Sequence, residues 1–175
     1  IRGEIMEQNE RRAGTMPPNT FDLPAEYYKL DKIDLLGNRR QLLLVNGLAL
    51  VLVVVMIAAA LMARGLNFRG GTGMILLKIA ALAAAMAVYI LLHELVHGIF
   101  IKKYSGKPAS YGLGIGYAYA GSKAYFNKKS YIIIALAPVV IWGVVLLVLN
   151  LLLPSFWFWV VYGVQVLNLS GAAGD

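Results

Sequence analysis

The sequence predicts an α-helical polytopic membrane protein with four transmembrane helices and a small β-hairpin or re-entrant loop between the second and third. Three observations predict this. Hydrophobic residues make up 59% of the 175 and charged residues 14%, against roughly 45–50% and about 25% in soluble domains. Apolar stretches recur four times, each near the ~20 residues that cross a bilayer. The acids are also lopsided: Glu4, Glu7, Glu10, Asp22, Glu26, Asp31 and Asp34 crowd the start, and beyond them only Glu94 and Asp175 remain. Disordered chains and soluble nucleic-acid-binding domains do not have this composition. The chain has no cysteine, which excludes disulfides, thiol nucleophiles and cysteine–zinc sites.

Taken in order, residues 1–40 form a polar tail broken by Pro17, Pro18 and Pro24, with a short ordered stretch expected around LPAEYYKLDKIDL. Residues 41–175 form the membrane domain. Its spans are predicted at about 42–63, 74–101, 131–153 and 156–175. The first starts too far along the chain to be a signal peptide. RGLNFRGGTG makes a polar turn after it. The second span carries Lys78 and both histidines of the chain. The connection at 102–130 is basic and rich in Gly and Tyr, and the alternation in YGLGIGYAYAGSKAYF predicts the hairpin. Gly112, Gly114 and Gly116 lack the strand–loop–helix context of a nucleotide fingerprint and are read as close-packing loop glycines. Pro138 is expected to kink the third span. Phe156, Trp157, Phe158 and Trp159 open the fourth as an interfacial aromatic belt. The chain stops on NLSGAAGD and is expected to continue past Asp175.

Basic residues set the expected orientation. The tail and the 102–130 connection hold nearly all of them, the turn at 64–73 holds Arg64 and Arg69, and the turn at Pro154–Ser155 holds none. Positive charge favours the cytoplasmic side, so the tail and the 102–130 loop are expected there. The net charge of +7 then reflects orientation and contact with an anionic lipid bilayer. No nucleic acid partner is needed to explain it.

The informative motif is HELVH, residues 93–97. With 3.6 residues per turn, His93 and His97 share one helix face and can converge on one metal ion. Glu94 lies beside the first of them, where a carboxylate can take a proton from an activated water. Ionisable groups within a span cost about 2.5–3.5 kcal/mol on insertion scales, so their presence points to function. The bland reading is a polar cluster bonded to a neighbouring helix. Zinc needs a third protein ligand and an open position for water. Asp175 is the candidate: it is the one other carboxylate beyond the tail, and it lies as far past Phe156 as His93 lies past Met74, 19 residues in each case. Its bland reading is a solvated acid at a helix end. Asn168 precedes it by about two turns, shares its face, and is either a donor to a substrate carbonyl or an interhelical hydrogen bond. Tyr117, Tyr119 and Tyr125 are read as interfacial aromatics, the other reading being a phenol near the site.

HELVHG followed by NLSGAAGD resembles the site-2 protease type of intramembrane zinc metalloprotease. LPAEYYKLDKIDL and AYFNKKSYIIIALAP are similar to stretches of the membrane-protein family named putative zincin peptidases. The likeness covers about residues 23–175. It implies a zinc ion held by His93, His97 and Asp175, with Glu94 activating water and Asn168 assisting the scissile carbonyl. It also implies three core helices and a membrane-associated hairpin whose edge receives a substrate strand. The chain departs from the site-2 pattern in having Gly171 where a proline is usual and Gly174 where a leucine is usual. The expected activity is zinc-dependent hydrolysis of peptide bonds in or near transmembrane segments, the partner being a membrane-protein or peptide substrate. Pro138 and the glycines at 112–121 and 171–174 are the expected points of gating movement. The alternative is a zinc-binding membrane protein without proteolytic activity, serving metal transport, sensing or a structural partnership.

Overall fold

The computed structural model describes residues 18–23, 25, 27, 38–65, 71–114 and 117–172. The helices are α1 (Arg39–Arg64), α2 (Gly71–Ser105), α3 (Lys128–Leu152) and α4 (Phe158–Gly171), the last preceded by a 3-10 turn at Ser155–Trp157. Between α2 and α3 lies a two-stranded antiparallel sheet of β1 (Ser110–Gly114) and β2 (Tyr117–Gly121). It is the hairpin that the alternating pattern predicts, with Gly112 opposite Tyr119.

The helix ends follow from local chemistry. Asn38 caps α1, its carboxamide oxygen accepting from the backbone N–H groups of Arg40 and Gln41. Asn127 caps α3 in the same way, accepting from Ser130 N–H. Such caps satisfy donors that the first helical turn leaves without partners. At the far end of α2, Gly106 takes φ +73° and its N–H donates to the Lys102 carbonyl. Glycine tolerates this left-handed conformation and stops the helix there.

Helices α1, α2 and α3 contain 26, 35 and 25 residues and are each long and apolar enough to cross a membrane. Their outward surface is aliphatic: Leu48 is 66% exposed, Leu151 73% and Leu152 77%. Such a surface suits lipid rather than water, and these helices mark a membrane protein. The fourth predicted span differs. The 3-10 turn takes Phe156 and Trp157 from its start, and α4 itself has 14 residues and ends at Gly171. At 1.5 Å per residue it is roughly 21 Å long, short of the ~30 Å hydrocarbon layer. Among the described residues, three helices reach spanning length where the sequence predicts four.

The core lies where α2, α3 and α4 meet. Tyr89, Leu146 and Val164 form its buried centre, with Leu82 and Trp142 packed against it. Helix α1 is peripheral: Ala60 is its one buried residue, and Tyr162 Oη of α4 donates to its Met56 carbonyl at 2.9 Å. Residues 18–23 run back over the connection between sheet and α3. Thr20 and Tyr125 exchange both backbone hydrogen bonds, at 3.0 and 2.7 Å. Asn19 donates to the Tyr104 carbonyl and to Ser130 Oγ and accepts from Asn127 N–H. The ordered stretch expected at LPAEYYKLDKIDL falls largely outside the described residues.

Candidate metal centre

Helix α2 carries a stripe of buried polar rings. Tyr89, His93 and His97 follow at intervals of four and all three are buried, in a helix whose other residues are overwhelmingly apolar. The two imidazoles have centroids 4.9 Å apart at 74°. Potential ligand atoms of His93, Glu94 and His97 all lie within 4.8 Å of one another. The structure therefore brings together the three residues of the HELVH reading.

The hydrogen bonds fix which nitrogen of each ring faces the metal position. Asn168 Nδ2 donates to the Val139 carbonyl at 3.1 Å. A carbonyl cannot donate, so the carboxamide must present its oxygen to Tyr89. Tyr89 Oη accordingly donates to Asn168 Oδ1 at 2.8 Å. The phenol has a single hydrogen, so the 2.7 Å contact with His93 Nδ1 is a donation from the ring. His97 is simpler: its Nδ1 lies 2.9 Å from the Ile134 carbonyl, which only accepts. Both rings thus carry their proton on Nδ1 and present the Nε2 lone pair as ligand atom. A histidine oriented through its second nitrogen by a carbonyl or hydroxyl is the usual companion of metal ligation. Two such imidazoles fit a zinc ion that takes a further protein ligand, with the Glu94 carboxylate beside them.

Glu94 and His97 open onto a cavity of about 760 Å³, walled also by β2, Tyr125, Phe126 and Tyr131. Consecutive residues from Ala118 to Ser122 line it, so β2 flanks it along its length. Tyr119 and Tyr125 line the same cavity as Glu94, and both are about half exposed. Tyr117 is described by its backbone alone.

The candidate third ligand, Asp175, lies outside the described residues, as does Gly174. Asn168 is completely buried. Its carboxamide oxygen accepts from Tyr89, and one amide hydrogen goes to the Val139 carbonyl. Sequence reasoning missed Tyr89 and the Ile134 carbonyl. The phenol had a signal, a hydroxyl one turn before His93 on the ligand face of an apolar span. The carbonyl had one as well, treated below.

A helical membrane protein with a paired-histidine, single-glutamate metal centre of HExxH type is a zinc-peptidase-like protein. The chain belongs to the family described as putative zincin peptidase, which matches residues 86–175. That stretch begins just before Tyr89 and takes in HELVH, the hairpin, α3 and α4. Membership implies zinc as the metal and a metallopeptidase as the class. No curated protein and no solved structure matches the chain.

Proposed function

We propose that the protein is an intramembrane zinc metalloprotease of the site-2 type, hydrolysing peptide bonds in or near transmembrane segments of membrane proteins. The observation that carries this reading is the placement of Glu94 and His97 on a cavity flanked by β2, within a helix apolar enough to cross a membrane. His93 is nine residues before Lys102, roughly 14 Å along the helix axis. On this reading the site sits inside the membrane, near the face where the basic residues gather. That face is the cytoplasmic one, and it also holds the tail and the hairpin. Helix α4 enters as a short fourth membrane segment, and Asp175, just past its end, completes the ligand set.

A zinc ion held there by His93 and His97 would supply Lewis acidity toward a peptide carbonyl and would make water more acidic. The chain's own residues do the rest. Glu94 accepts a proton on the cavity side and returns it to the leaving amine. His93 and His97 hold their Nε2 atoms in register because each Nδ1 is tethered. Asn168 serves the reaction through Tyr89. The substrate segment must leave its helical form before cleavage, since helical hydrogen bonds shield its carbonyls. An extended strand gains replacement bonds by adding to the edge of β2, and Tyr119, Tyr125, Phe126 and Tyr131 offer aromatic surface to its side chains.

Glu94→Gln tests the reading. The variant should retain zinc and lose cleavage of a membrane-protein substrate by about 10²–10⁴-fold, the usual contribution of a general acid–base group. A variant that loses zinc together with activity, or a wild-type protein that carries zinc and cleaves nothing, overturns it in favour of a non-proteolytic zinc protein.

A further inference from the structure

Proline inside a membrane helix normally breaks one backbone hydrogen bond, because it has no N–H to give the carbonyl four residues earlier. Pro138 is inside α3 and fully buried. The carbonyl four residues earlier belongs to Ile134. It is the same carbonyl that receives His97 Nδ1 at 2.9 Å. Ile134, Pro138 and His97 are all buried, and the carbonyl and the ring nitrogen satisfy each other across the α2–α3 interface.

We propose that Pro138 is a positioning residue for the metal ligand His97. Its missing N–H releases the Ile134 carbonyl from the helix ladder, and the released oxygen holds the His97 ring in the tautomer and orientation that present Nε2. The inference rests on the zinc reading of the HELVH cluster. It differs from a simple kink, because it specifies which atom the proline sets free and which atom takes it. It also accounts for the direction of the Ile134 carbonyl: in an unbroken ladder it would point along the axis, whereas the ring of proline pushes it aside toward His97.

The test uses the full-length protein in detergent or nanodiscs, with Zn²⁺ and Co²⁺ as probes. Pro138→Ala restores a backbone N–H, which can reclaim the Ile134 carbonyl. Pro138→Val restores the same N–H and also fills the space of the ring. Both variants should bind Zn²⁺ about 10–100-fold more weakly, the range for losing an outer partner of a ligating histidine. Both should shift the visible d–d bands of the Co²⁺ form. Circular dichroism should show the helix content of the metal-free Pro138→Ala protein unchanged. A weaker site in a protein that keeps its helices is not produced by general misfolding. Wild-type affinity and an unshifted Co²⁺ spectrum in Pro138→Ala overturn the inference, as does wild-type behaviour in Pro138→Val alone, which makes the role one of packing. Absence of stoichiometric metal in the wild-type protein is a different result: it removes the zinc reading itself.

Discussion

The hydroxyl end of Tyr111, on β1, occupies the place where any side chain at Gly98 would begin. Gly98 directly follows His97, so the residue that closes HELVHG is the seat on which the hairpin rests against α2. A methyl group there must push the ring away. Tyr111 is 54% exposed and can swing outward, so the helix survives the substitution while the hairpin loses its seat.

Gly98→Ala is therefore expected to leave zinc content unchanged, speed amide hydrogen exchange across residues 110–121, and lower cleavage about five-fold, equivalent to roughly 1 kcal/mol. The same substitution made in a Tyr111→Ala background should cost nothing further, because the two residues act through one contact. Additive losses would mean that Gly98 matters for some other reason.

Tyr89 and Asn168 form one line of hydrogen bonds ending on His93. Tyr89→Phe keeps the ring and removes the hydroxyl, and should weaken zinc binding about ten-fold. It also leaves Asn168 Oδ1 without its buried donor, at a cost of about 1–3 kcal/mol in stability. Asn168→Ala should weaken zinc binding to a similar degree. The double variant should bind zinc little worse than either single one, by isothermal titration. Independent, additive effects would separate the two residues.

The ligand assignment divides cleanly by metal analysis. His93→Ala and His97→Ala should each abolish stoichiometric zinc. Asp175→Ala should reduce zinc content and abolish cleavage. Full zinc occupancy in Asp175→Ala would remove that residue from the ligand set. A chelator should inactivate the wild-type enzyme, and added zinc should restore it.

Orientation can be read cleanly, because these 175 residues contain no cysteine. A single cysteine replacing exposed Lys123, beside the hairpin, should be protected from a membrane-impermeant maleimide in intact cells and labelled after lysis. One replacing exposed Ser155, at the opposite end of the bundle, should be labelled in intact cells. The reverse pattern would invert the proposed topology.

Much of this was legible in the residues. Hydropathy alone places α1, α2 and α3, since a run of aliphatic residues near spanning length has few other uses. Alternation of Tyr, Gly and Ala announces the hairpin. The HELVH spacing places both histidines on one face, because helical periodicity is a local property. The length of α4 was not legible: composition continues apolar from Phe156 onward, but the 3-10 turn takes Phe156 and Trp157 and the helix ends at Gly171. Asn19 was not legible either, since its partners Tyr104, Asn127 and Ser130 are far along the chain and are met partly through backbone atoms. The Ile134 carbonyl has no letter in the sequence at all. Only the proline four residues later betrays it, and that proline was expected to bend the helix rather than to free an acceptor.

The segment from Tyr125 to Asn127 is two-sided. One side, through Tyr125 and Phe126, is wall to the cavity holding Glu94; the other carries Thr20 on its backbone and Asn19 on its N-cap residue. A pull on the chain at Asn19 and Thr20 is therefore a pull on that wall. A partner that drew these two residues away would act on the Glu94 cavity without ever touching the histidines.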